Sequence, residues 1–159
     1  MTAPRVPASA LIDALNGGSY PFWFPKEARD LALDYFVYGT DFDTLGASAT
    51  ATRAIQINSD SAFLVLSATM VETEDDNTTF LANRPLLVQL STGGAALNLS
   101  NTPVHADNWF GTAELPKYWD VPKILLPNTT FNVQLQNLEA AERIVRVAFH
   151  GFKLFRFTK

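Results

Sequence analysis

The chain offers few groups able to do bond-making chemistry. Its only histidines are His105 and His150, and it has no cysteine. Ser100, His105 and Asp107 hold the side-chain types of a hydrolytic triad, but no strand-to-helix nucleophile motif accompanies them. His150 falls on the polar side of the last apolar-alternating segment, beside Arg146. That position suits a solvated or cross-strand hydrogen-bonded imidazole, and no second histidine stands at metal-ligand spacing. Carboxylate pairs at Asp41 and Asp43, and at Glu72, Glu74, Asp75 and Asp76, would suit glycoside hydrolysis only across a substrate cleft. Here they sit in turn-like polar stretches where acidic residues are ordinary. The run Glu72 to Asn77 supplies oxygen ligands for Ca²⁺ but lacks the glycine-spaced pattern of a calcium loop. Three Asn-X-Thr/Ser sequences, at Asn77, Asn98 and Asn128, are formal glycan acceptors that matter only on a secretory route. The expectation is a non-enzyme with no metal and no cofactor.

Side chains suited to binding are more plentiful. Trp109-Phe110 and Tyr118-Trp119 lie in a stretch, Leu99 to Pro122, rich in Asn, Thr and Pro. Large aromatics there would anchor an interface, or else cover the end of a core. The same two readings apply to Phe22, Trp23 and Phe24, enclosed by Pro21 and Pro25. Near the N-terminus, Pro4, Arg5, Val6 and Pro7 belong to a segment, Met1 to Ala8, that reads as an extended arm able to reach a partner.

The scaffold that must position these groups reads as sheet. At 159 residues, with 47% hydrophobic and 18% charged, one domain can bury roughly two thirds of its unfolded surface. Phe is used 12 times and Met twice, which suits pleated, aromatic-covered faces. Leu11 to Leu15 is expected as a short helix stopped by Gly17 and Gly18. Period-two alternation then marks strands over Asp30–Tyr38, closed by Gly39, and over Thr50–Asn58, Ala62–Val71, Leu86–Leu90, Thr129–Gln136 and Arg143–Phe149. Asn58-Ser59-Asp60 predicts a hairpin between the second and third of these. Asn137 to Glu142 predicts another between the last two. Gly151 breaks the final alternation, as a bulge would. The expected fold is all-β: an antiparallel, jelly-roll-like β-sandwich over 20–159, preceded by an arm and short helix over 1–19.

The segment Trp119-Asp120-Val121-Pro122-Lys123-Ile124-Leu125-Leu126-Pro127-Asn128-Thr129-Thr130-Phe131, a strand ending at Asn137, and Arg146-Val147-Ala148-Phe149-His150-Gly151-Phe152-Lys153 together resemble the closing hairpin of small β-sandwich virion proteins of tailed bacteriophages. The resemblance covers about forty residues. It implies a capsid decoration (cement) protein or a head or tail accessory subunit. The partner would be the major capsid protein or another virion protein, with a homo-oligomeric subunit and a place in the virion after synthesis in the host cytoplasm. Under that reading Pro4, Arg5, Val6, Pro7, Trp109, Phe110, Tyr118 and Trp119 are the candidate interface.

Charge narrows the partner class. A net charge of −4 and a pI near 5.0 lack the clustered cations that phosphate backbones require, so nucleic acid is not expected as a partner. No segment is long and apolar enough to span a bilayer, so no membrane partner is expected either. The second class of function consistent with these residues is a carbohydrate-binding β-sandwich, a host-surface or tail accessory adhesin with Trp109, Tyr118 and Trp119 stacking on sugar rings.

Overall fold

The computed structural model describes residues 32–73, 85–93 and 97–155. The expected arm and helix over 1–19, the aromatic stretch Tyr20 to Pro25 and the acidic loop beyond Thr73 lie outside the described residues. Nine strands follow in order: β1 Ala32–Leu45, β2 Thr50–Gln56, β3 Ala62–Thr73, β4 Leu86–Thr92, β5 Leu97–Asn98, β6 Val104–His105, β7 Lys117–Leu125, β8 Thr130–Asn137 and β9 Arg143–Phe155. Among the described residues the helical content is one three-residue 3-10 turn, Ala106–Asn108.

The strands form two sheets. Sheet A has the order β1-β9-β3-β7; sheet B has the order β2-β8-β4-β5, with β6 also on β4. Every pairing between strands is antiparallel. The sheets pack face to face as a β-sandwich around one main core. Sheet A contributes Tyr38, Phe42, Phe63, Val65, Met70, Val145, Val147 and Phe149, and sheet B contributes Ile55, Leu86, Val88, Leu90, Phe131, Val133 and Leu135. The alternation read from the sequence matches the burial. Along β8, Phe131, Val133 and Leu135 are buried while Asn132, Gln134 and Gln136 face outward half-buried. The central strand β3 departs from it, with eight successive buried residues from Phe63 to Met70. Its second face joins Leu64 and Leu66 to Phe152 and Leu154 in a smaller apolar cluster, with Leu33, Ala62 and Ile124 against it.

Two expected hairpins are not present. β2 pairs with β8 and β3 with β9, so the chain changes sheets between β2 and β3 and again between β8 and β9. Residues 57–61 and 138–142 make these crossings. Five residues reach up to about 16 Å, enough to turn a hairpin or to cross the ~10 Å between packed sheets. Loop length alone therefore does not choose. The choice comes from the apolar faces, each of which needs an opposing layer.

Three further departures have local causes. β1 does not end at Gly39 but runs on to Leu45, with Gly39 opposite Ala148. The Leu99–Pro122 stretch yields β7, which accommodates Pro122 because it is an edge strand whose register shifts against β3 between Val65 and Ser67. At Gly151 the strand β9 is unbroken, and the extra residue is Leu66 on the facing strand β3. A Cβ on Gly151 would lie 1.9 Å from the Leu64 carbonyl oxygen. Glycine is needed there for close approach of backbone, not for a turn.

Polar pins hold the corners. Asn137, 1% exposed, donates from Nδ2 to the carbonyls of Ala141 (2.7 Å), Gly46 (3.1 Å) and Leu45 (3.4 Å), and its Oδ1 accepts from the Glu139 N–H (3.0 Å). One side chain thereby ties the β1–β2 corner to the β8–β9 corner. At the β7–β8 corner, Asn128 takes φ 58°, the left-handed conformation Asn tolerates after Pro127. Arg53 on β2 closes the open side of the sandwich, donating to the Asp41 carbonyl at 3.2 Å and lying 5.6 Å over the Phe42 ring.

Candidate functional site

Among the described residues, a shallow concavity lies on the outer face of sheet A, where β1, β9, β3 and β7 stand side by side. Register places Tyr35 opposite Phe152, Val37 opposite His150, and His150 opposite Ser67, which in turn faces Tyr118. Of these, Tyr35, Phe152, His150, Ser67 and Tyr118, with Leu66, Pro116 and Gly151, line a shallow cleft of about 120 Å³. Leu66 is the extra residue of the β-bulge, where two β3 residues oppose one on β9.

A chain of hydrogen bonds fixes one wall. Tyr35 Oη meets His150 Nδ1 at 2.9 Å, and His150 Nε2 meets Thr69 Oγ1 at 3.1 Å. The expectation of a cross-strand hydrogen-bonded His150 is met, with partners 115 and 81 residues away in sequence. Burial holds the imidazole below the ordinary histidine value, because desolvation disfavours its charged form. Among the described residues both nitrogens of His150 meet hydroxyls and neither meets a carboxylate. Tyr35 is nevertheless 58% exposed. Tethering its hydroxyl leaves a broad aromatic face turned outward and already ordered, which lowers the entropy lost on docking.

The aromatic candidates serve the core more than the surface. Phe110 is buried against Phe149, ring centroids 5.6 Å apart. Trp109 and Trp119 meet edge to face at 5.4 Å, with Trp119 Nε1 donating to the Trp109 carbonyl at 3.1 Å, and both pack against the main core half-buried. Tyr118 alone of the four reaches the cleft. Pro4, Arg5, Val6 and Pro7 lie outside the described residues.

The remaining chemical candidates are dispersed. His105 Nδ1 is 3.5 Å from Asp107 Oδ2, both well exposed, while Ser100 Oγ is buried without a hydrogen bond to His105 or any other described group. Asp41 lies 4.0 Å from Arg146 on the solvent side. Glu72 does not join a solvated acidic loop: its carboxylate is fully buried 3.4 Å from Arg143 Nε, and Arg143 also pairs with Glu139. Lys153, at the opposite end of β9, sits 3.8 Å from Asp60 and 4.2 Å over the Phe36 ring. Among the described residues no three metal-ligating side chains converge.

The outer face of sheet B has a different character. Thr50, Thr52, Ala54 and Gln56 on β2 lie beside Gln136, Gln134, Asn132 and Thr130 on β8, and Leu87, Gln89 and Ser91 follow on β4. None of these is ionisable. No protein-family model matches the chain, and no curated protein matches it.

Proposed function

We propose that the chain is a non-enzymatic structural subunit of a virus particle, a capsid decoration protein that stabilises the head through protein–protein contacts. The observation that carries this reading is the strand order. β1-β9-β3-β7 against β2-β8-β4, with β5 and β6 sharing the fourth place, sends the chain from one sheet to the other at nearly every connection. That is the wiring of a double-sheet jelly roll, an architecture used by viral capsid domains, lectins and cupins. The resemblance of residues 119–153 to phage virion proteins favours the first of these. The surface chemistry supports it further: an outward tyrosine held rigid beside an apolar cleft, and a flat uncharged face on the other sheet, suit contacts from which charge is depleted.

The test is composition of particles. Virus particles purified by density gradient from a culture that produces the chain should contain it at a fixed copy number per major capsid protein. Purified protein should also rebind particles stripped of it and raise the temperature at which they release their genome. Absence of the chain from intact particles overturns the reading. Binding to defined oligosaccharides on an array, without particle association, would replace it with the carbohydrate-binding alternative.

A further inference from the structure

The two outer faces of the sandwich are buried to different degrees. On sheet B the outward residues of the inner strands, Asn132, Gln134 and Gln136 on β8 and Leu87 and Gln89 on β4, are all partly exposed. That is ordinary for a sheet with solvent on one side, and even the apolar Leu87 keeps contact with water. Sheet A differs at the end where β1 begins. Leu64 and Leu66 on β3 and Phe152 and Leu154 on β9 point outward, yet Leu64 is 0% exposed and the other three are buried as well.

Register sets these residues in adjoining rows. Leu33, Leu154 and Ala62 stand side by side, and next to them Tyr35, Phe152, Leu64 and Ile124. Among the described residues, the partly buried apolar side chains packed against the cluster are Leu33, Ala62 and Ile124, all on strands of the same sheet. Side chains standing perpendicular to a sheet shield one another's flanks and leave their tips open. Full burial of neighbouring side chains on an outward face therefore requires a third layer.

Reach and composition select the layer. Residues 74–84 leave β3 at Thr73, about 30 Å along the strand from Leu64, and have to return to Leu86 in sheet B. Residues 94–96 join two strands of sheet B. Residues 156–159 follow Phe155 directly, and reversing the chain in a turn uses four residues. Residues 1–31 are left, and they enter β1 at Ala32, which pairs with Phe155 beside the row of Leu33, Leu154 and Ala62. Within them Tyr20-Pro21-Phe22-Trp23-Phe24-Pro25 carries a dense run of aromatic rings, each able to bury about 150–250 Å². Its prolines suit a segment lying across a sheet face instead of extending the hydrogen-bonded ladder. The chain from Phe24 to Ala32 spans up to about 26 Å, whereas β3 lies two strand spacings from β1, about 10 Å.

We propose that residues 20–25 pack across β9 and β3 of their own chain as this third layer, with Phe22, Trp23 and Phe24 over Leu64, Phe152 and Leu154. The cover stops short of Tyr35 and Val37, which are exposed. The assignment is independent of the virion reading, because it concerns how the chain completes its own fold. It removes the three aromatics from the surface open to a partner.

Methyl NMR on the full 17.5 kDa chain, labelled at Leu and Ile, tests it. Nuclear Overhauser contacts should run from the methyls of Leu64, Leu154 and Ile124 to ring protons of Phe22, Trp23 or Phe24. A mixture of labelled and unlabelled chains should show none of these contacts between molecules. Replacing all three aromatics (Phe22→Ser, Trp23→Ser and Phe24→Ser) should uncover the face and raise binding of a hydrophobic dye several-fold, with the far-UV circular dichroism of the sheets retained. If that variant unfolds, the wild-type contacts decide alone. The proposal is overturned if the Leu64 and Leu154 methyls meet no ring from residues 20–25, or meet rings of another segment such as Phe157 in their place. Contacts arising only between molecules overturn it too, handing the face to a second copy, as does a folded triple variant with unchanged dye binding.

Discussion

Replacing Asn137 by alanine should destabilise the protein far more than any other single truncation on the polar positions of β8. The side chain makes three hydrogen bonds of good length, to Ala141 O, Gly46 O and the Glu139 N–H, and a longer fourth to Leu45 O. At a net contribution of about 1 kcal/mol for each good bond, the loss is about 3 kcal/mol. A domain of this length loses about 2–4 °C in Tm per kcal/mol, so the melting temperature should drop by roughly 6–12 °C. Urea unfolding followed by circular dichroism reads the change directly, with the slope m unchanged if only the native corner is affected. Asn137→Asp should be at least as harmful at neutral pH, since it sets a carboxylate against the same carbonyl oxygens. Part of that loss should return in acid, where a protonated carboxyl again donates. Gln134→Ala, on the outer face of the same strand, is the control and should stay within about 0.5 kcal/mol. If Asn137→Ala costs less than about 1 kcal/mol, the idea that one buried amide holds both sheet-crossing corners is wrong.

Gly151→Ala should lose about 3 kcal/mol or more, or fail to fold, because its Cβ would meet the Leu64 carbonyl at 1.9 Å; a near-neutral effect by thermal melt would contradict the close approach. His150 gives a pH dependence with a definite sign. Its folded pKa is lowered, so the unfolded chain binds the proton first as pH falls below about 6.5, and stability, complete above that pH, declines on acidification toward the folded value. His150→Asn should flatten the slope of unfolding free energy between about pH 7 and 5, and an unchanged slope would remove His150 from the account. Arg143→Met takes an ion-pair partner from the fully buried Glu72 and should cost about 3 kcal/mol. Adding Glu72→Gln should recover most of that in a double-mutant cycle, and no recovery would show that the two side chains are not coupled.

By itself the sequence determined the class of fold and most of the core. Alternation over β8 and β9 names the inward Phe131, Val133, Leu135, Val145, Val147 and Phe149, because a strand's side chains turn over every residue whatever stands beside it. It also established the lack of thiol chemistry and the scarcity of titratable groups, which are matters of composition. Which strands pair is another matter. An apolar strand face specifies that it must be covered, not by what, and a five-residue loop reaches either partner, so the crossings at 57–61 and 138–142 became visible only in the assembled sandwich. The cleft was hidden for the same reason. Tyr35, Thr69, Tyr118 and His150 come from four strands spread over more than a hundred residues, and although Tyr118 and His150 stand out one by one in the sequence, nothing in any one segment brings them together. Trp109 and Trp119 show the converse, since a sequence cannot tell an aromatic that covers a core from one that awaits a partner. Tertiary structure decided both, because burial and proximity are set by the packing of layers on one another, while local sequence sets only the face each side chain takes.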